Sequence, residues 1–188
     1  KMDVESEELV KSISPDEVLK SIEKIINKNE KIKSFEELSK LVIDLKKQNK
    51  KIVWTSGCFD ILHSGHTKYL AKAKRHGDCL IVGLNSDSSV KLLKGQNRPI
   101  NSEKERAEVL SSLFSVDYIF TFPESSPKKY LEILKPDFYI KGGDYTIDSL
   151  NQEERKAVES NGGKIILVRM EPGISTTNII ERIKKVYK

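Results

Sequence analysis

A chain of 188 residues is long enough to bury one domain core plus an appendage, without staples. Two cysteines make no disulfide framework, no apolar run reaches membrane-spanning length, and the N-terminus is charged where a signal peptide would be apolar. A soluble cytoplasmic protein with no membrane partner is expected. The net charge of +5 falls on residues 51–188, because residues 1–50 hold 11 lysines against 11 acids. That excess suits a substrate with several phosphates and is too small, and too poor in interleaved aromatics, for nucleic acid.

The first eight residues are polar and acidic. Ser14-Pro15-Asp16-Glu17 then reads as a helix start, with Ser14 as cap, Pro15 in the first turn and Glu17 closing a capping box. Val18, Leu19, Ile22, Ile25 and Ile26 give that helix an apolar stripe. A second start falls at Ser34, with Glu37 three residues on and Leu38, Leu41, Val42 and Leu45 behind it. Residues 1–33 are predicted as an N-terminal helical extension, and 34–188 as the catalytic domain. Strands are predicted near 51–56, 79–84, 117–121, 137–140 and 164–168. Helices are predicted near 65–75, 102–113, 127–134, 149–160 and 176–187. This alternation predicts an α/β fold: a Rossmann-like parallel five-stranded sheet with helices on both faces. Ligands of such sheets bind beyond the strand C-termini, at the topological switch point.

The segment after the first strand reads Ser56-Gly57-Cys58-Phe59-Asp60-Ile61-Leu62-His63-Ser64-Gly65-His66. It carries two of the three histidines of the chain. Strand, glycine turn and helix start together offer backbone N–H groups and a positive dipole end to an anion. Two imidazoles there suit a nucleotide phosphate. Cys58, His63, His66 and Cys79 could also supply four zinc ligands, but their spacing fits no common finger and Cys79 lies in an apolar strand.

Later strand ends carry further polar groups. Asn85-Ser86-Asp87 ends the second strand and leads into a loop with Lys91, Lys94 and Arg98, which reads equally as a phosphate clamp or a solvated loop until its place on the sheet edge of His63 favours the clamp. Arg106 lies early in the next helix, where it could face the ligand edge. Lys141-Gly142-Gly143-Asp144-Tyr145 follows the fourth strand, and its paired glycines allow close backbone approach. Ser175, Thr176 and Thr177 open the last helix; they would cap it in any protein, and they also make a second phosphate site.

Gly57-x-Phe59-Asp60-x-x-His63-x-Gly65-His66 resembles the HxGH signature of the nucleotidyltransferase superfamily. With Asn-Ser-Asp at 85–87, Leu-Lys-Gly-x-x-Arg-Pro at 93–99, Lys-Gly-Gly-Asp-Tyr at 141–145 and Ser-Thr-Thr-Asn-Ile-Ile at 175–180, residues 34–183 resemble the adenylyltransferases of bacterial ADP-heptose synthesis. The resemblance implies transfer of AMP from ATP to D-glycero-β-D-manno-heptose 1-phosphate, with release of pyrophosphate. It implies catalytic roles for His63, His66 and Lys141. Nucleotide contacts are implied for Ser56, Gly57, Cys58, Phe59, Gly65, His66, Arg106, Ser175, Thr176 and Thr177. Acceptor contacts are implied for Asp60, Asn85, Asp87, Lys94, Arg98, Lys141 and Asp144. Mg²⁺ is expected through the triphosphate, with no metal ligands of the protein's own. The partners expected are ATP, a sugar phosphate and a second copy in a homodimer.

Gly173-Ile174-Ser175-Thr176-Thr177, with Arg169 upstream, is also similar to glycerol-3-phosphate cytidylyltransferases. That leaves a cytidylyltransferase acting on an alcohol phosphate as the alternative. A nucleotide-binding regulator without turnover is a third reading, and a synthetase-related RNA binder a fourth. Ile13 to Val18 resembles the end of the sugar-kinase half of the bifunctional enzymes, but no kinase catalytic segment occurs among these residues.

Overall fold

The structure is a computed structural model. It describes residues 14–16, 19, 28–143, 146–169, 173 and 175–187. The predicted stripe at Val18, Ile22, Ile25 and Ile26 lies outside the described residues, as does Asp144.

A helical turn at Lys28–Lys31 leads to α1, Phe35–Lys47. The rest alternates: β1 Ile52–Gly57, α2 Ser64–Lys74, β2 Cys79–Asn85, α3 Asp87–Lys94, α4 Glu103–Ser111, β3 Tyr118–Phe122, α5 Lys128–Leu134, β4 Phe138–Gly142, α6 Gln152–Glu159, β5 Lys164–Val168 and α7 Thr176–Val186. The sheet order is β3-β2-β1-β4-β5, all parallel. The predicted five-stranded Rossmann-like sheet is therefore what forms, and its strands lie within two residues of the predicted bounds.

Local chemistry explains why these elements begin where they do. Ser34 accepts from the Glu37 N–H while Glu37 accepts from the Ser34 N–H, the predicted capping box. Ser102 and Glu105 repeat that box at α4. One helix was not predicted. Residues 87–94 form α3 where a loop was expected, with Ser86 accepting from Ser89 N–H. It buries only Ser89 and Val90 and leaves Leu92 and Leu93 exposed, so no apolar stripe announced it.

Side chains alternate across the sheet, as strand geometry demands. Ile52, Trp54, Ile81, Phe122 and Tyr139 pack on one face under α1, α5 and α6, with Leu38, Leu131 and Val158. Val53, Leu80, Val82, Ile119 and Ile140 pack on the other under α2 and α4, with Leu70 and Leu110. Gly83 is obligatory in β2, because a Cβ there would sit 2.5 Å from Trp54 Cζ2. Ahead of α1, Ile32 pairs with Ile119 in β3, and Lys33 N–H donates to the Ile119 carbonyl at 2.9 Å. No helix among the described residues is long and apolar enough to cross a membrane.

Candidate active site

Strand order reverses between β1 and β4, and there the strands part. β1 stays paired with β2 as far as Gly57, and β4 with β5 as far as Gly142. β1 and β4 are paired only to Thr55 and Ile140. Tyr69, from α2, seats its hydroxyl at the fork, 2.6 Å from Thr55 Oγ1, and donates to the Ile140 carbonyl at 2.9 Å. Beyond the fork opens a cleft of about 550 Å³.

The end of β1 supplies one wall of that cleft: Ser56, Gly57, Cys58, Phe59 and Asp60. Phe59 holds a left-handed φ of 45°, which turns the chain sharply off the strand. Gly57 gives its ring room: a Cβ there would meet Phe59 Cε2 at 3.1 Å. His66 lines the cleft from α2, and Asn85, Lys94 and Arg98 line it on the β2 side. Lys141 and Gly142 face them from β4, and Thr176 and Thr177 from the start of α7. Twelve of the residues predicted from sequence thus share one cavity.

Five others stand off its walls. His63 is the N-cap of α2 and stacks on His66, with ring centroids 3.9 Å apart. Gly65 is buried in the first turn. Ser175 caps α7 by accepting from Asn178 N–H. Asp87 and Arg106 are joined to each other at 2.8 Å. Arg106, expected to face the ligand edge, is turned inward and only 2% exposed. It donates to the carbonyls of Cys58, Asn85 and Asn101 as well as to Asp87. A guanidinium carries five donors in a rigid fork, and here it ties the loop after β1 to the loop after β2.

Asp60 likewise serves the scaffold at this edge. It is 4% exposed, and its carboxylate accepts from Arg98 and from the N–H groups of Ile100 and Asn101. Its backbone carbonyl accepts from the Asn101 amide. The loop carrying Arg98 is thereby pinned to the histidine loop.

The start of α2 is left open. Most helices here have a side chain accepting from their first N–H groups, but His63 makes no such bond at α2. The Nδ1 atoms of His63 and His66 are buried with no hydrogen-bond partner. Desolvation lowers the His63 pKa. Desolvation first, and the neighbouring His63 second, pull His66 down to about 4. Both imidazoles are therefore neutral at pH 7, and His66 meets the cleft as an N–H donor with His63 stacked behind it. In the fold alone this costs stability as pH falls from about 6.5 through about 4, because the unfolded chain takes the proton first. A bound polyphosphate reverses the sign locally, since an anion favours imidazolium. Nucleotide binding near pH 6 should take up protons and weaken as pH rises. Calorimetry in two buffers of different ionisation enthalpy reads this directly, and proton release would contradict it.

Zinc chemistry does not fit. Cys79 is packed in the core under α1, on the face of the sheet opposite α2. Among the described residues no group of three or more His, Cys, Asp or Glu side chains could hold a metal ion. The two carboxylates in the cleft, Asp60 and Glu154, are engaged by Arg98 and Lys141. Glu154 went unnoticed in the sequence, because nothing in Asn151-Gln152-Glu153-Glu154 separates it from ordinary first-turn acids.

A parallel sheet that opens at its switch point onto a histidine-bearing helix start, with lysine and hydroxyl groups at neighbouring strand ends, is the framework of a nucleotidyltransferase. The family match agrees. The chain belongs to the cytidylyltransferase-like family, which matches residues 54–182. It is 47% identical over 157 residues to the bifunctional protein HldE of Geobacter sulfurreducens, covering 84% of this chain and 32% of that one. It is 49% identical over 174 residues to the bifunctional protein HldE of Campylobacter jejuni, covering 92% and 35%. The chain spans about a third of the length of these curated relatives. Among solved structures it resembles a lipopolysaccharide core biosynthesis protein of Thermoplasma volcanium, with 30% identity, a TM-score of 0.53, and coverage of 65% and 97%. A pantoate-beta-alanine ligase of Francisella tularensis shares the fold, at 21% identity and a TM-score of 0.51.

Proposed function

We propose that this chain transfers AMP from ATP to D-glycero-β-D-manno-heptose 1-phosphate. One observation carries the reading most: His66, at an uncapped helix start, and Lys141, at the end of β4, line the same cleft beyond the parting of β1 and β4. The identity to bifunctional HldE proteins supports the heptose assignment.

The acceptor phosphate is already anionic at neutral pH, so its attack needs no general base. Its oxygen bonds to the α-phosphorus, the bond to the bridging oxygen breaks, and pyrophosphate leaves. The protein must align two anions and neutralise charge as it shifts. His66 donates to the phosphates, and His63 backs it through ring stacking. Ser175, Thr176 and Thr177 hold the triphosphate at the start of α7. Lys94 and Arg98 meet the acceptor, and Lys141 sits between the two anions. Arg106 and Asp60 contribute through the loops they hold. A divalent cation enters with the triphosphate oxygens, where it would offset their charge.

The runner-up is CTP with glycerol 3-phosphate, favoured by the Ser-Thr-Thr run at 175–177 with Arg169 upstream. A site built to hydrogen-bond one base rejects another by a large factor. A competition assay with both triphosphates, reading pyrophosphate and the product, should therefore give clear preference for ATP with the heptose phosphate. Consumption of CTP with glycerol 3-phosphate, and not of ATP, replaces the heptose assignment. Cytoplasmic placement and a homodimer belong to the same proposal, and sedimentation of the purified chain tests the dimer.

A further inference from the structure

We propose that Glu154 is a positioning residue that aims Lys141 at the switch point of the sheet. The inference rests on the nucleotidyltransfer reading of the cleft.

Glu154 lies in the first turn of α6 and is 5% exposed. Asn151 fixes that turn by accepting from the N–H groups of Glu153 and Glu154 at 3.0 and 3.2 Å. One carboxylate oxygen accepts from Ser126 Oγ at 2.9 Å. The other accepts from the Tyr139 hydroxyl at 2.7 Å and from Lys141 Nζ at 2.9 Å. Tyr139 is itself 1% exposed, and burial followed by the Glu154 charge pushes its phenol well up, so it remains a donor. Its hydroxyl also lies 3.4 Å from Ser56 Oγ at the end of β1. The carboxylate is thus clamped by the segment before α5 and by β4, and its last lone pairs face the ammonium.

A lysine on four methylenes does not aim itself. A buried carboxylate is costly unless fully partnered, and in a cleft built for polyanions it also opposes the ligand. A bond needed only for packing would be met by a neutral amide. The choice of a charged acid, held by two neutral donors and bonded to the lysine at the end of β4, fits the setting of a cation. Lys141 Nζ also lies 5.1 Å from the centroid of the Tyr139 ring, a cation–π contact with the same network.

A double-mutant cycle with Glu154→Gln and Lys141→Ala tests this. Glu154→Gln should lower kcat about tenfold with little change in the nucleotide KM, an interaction of the size such cycles find between coupled residues. In the Lys141→Ala background the same change should cost less than about twofold. Tyr139→Phe, a fold-conserving change, should give a smaller loss that also vanishes without Lys141. A full loss from Glu154→Gln in the Lys141→Ala background, or unchanged turnover in Glu154→Gln alone, overturns the proposal. Lowered melting temperatures without this non-additivity assign Glu154 to the scaffold and also overturn it. Wild-type protein that turns over no pair of triphosphate and phosphorylated acceptor sinks the underlying reading instead. The cycle is then read on tripolyphosphate binding by calorimetry, where additive losses still count against the proposal.

Discussion

Replacing His66 with alanine should lower kcat by on the order of a hundredfold or more, because one preorganised donor at an oxyanion is typically worth that much. The fold should survive the change. His66 is half-buried, its Nδ1 has no partner, and its ring contacts are to Phe59 and His63 at the cleft wall. No core layer depends on it. The same reasoning gives His63→Ala a loss of activity through His66, which it supports by stacking. Pyrophosphate release with saturating substrates, read beside circular dichroism, is the measurement. Near-normal turnover in both variants would remove the phosphate site from this cleft. A preserved pH dependence of nucleotide binding in His66→Ala would separately show that another group takes up the proton.

Arg106→Met should give the largest loss of stability of any single change at this edge, about 3 kcal/mol, because the buried guanidinium serves three backbone carbonyls that would be left without it. Three carbonyls, those of Cys58, Asn85 and Asn101, would lose their donor together with Asp87. Buried acceptors left unsatisfied cost about 1–3 kcal/mol each when water cannot reach them. For a chain of this length that corresponds to roughly 6–12 °C in melting temperature. Methionine keeps most of the stem, so packing loss is small and the missing donors account for the effect. Arg106→Lys should recover little of that loss, since an ammonium cannot serve the same fork of acceptors. Activity should fall as well, because the loops after β1 and β2 both line the cleft. A variant of normal stability that loses only triphosphate affinity would instead restore Arg106 to the direct contact that the sequence resemblance implied.

Much of this was legible in the chain itself. The strand-turn-helix order around Ser56 to His66, the capping box at Ser34, and the alternation that makes a parallel sheet are all short-range patterns. Each is written within a few residues, because a cap acts over three positions and a helix face repeats every three or four. The HxGH run also put His66 beside the cleft, since that run follows the first strand and such clefts open beyond strand ends. Tertiary structure alone decided which charged groups line the cleft and which are bonded into the scaffold. Arg106 meets the Cys58 carbonyl 48 residues away, Arg98 meets Asp60 across 38, and Lys141 meets Glu154 from a different element. Lys141 and Arg106 look equally functional in sequence, yet one faces the cleft and the other is spent inside. Only the parting of β1 from β4 after Thr55 and Ile140 created the cavity that tells them apart, because side-chain partners are chosen by proximity in the folded sheet and not by distance along the chain.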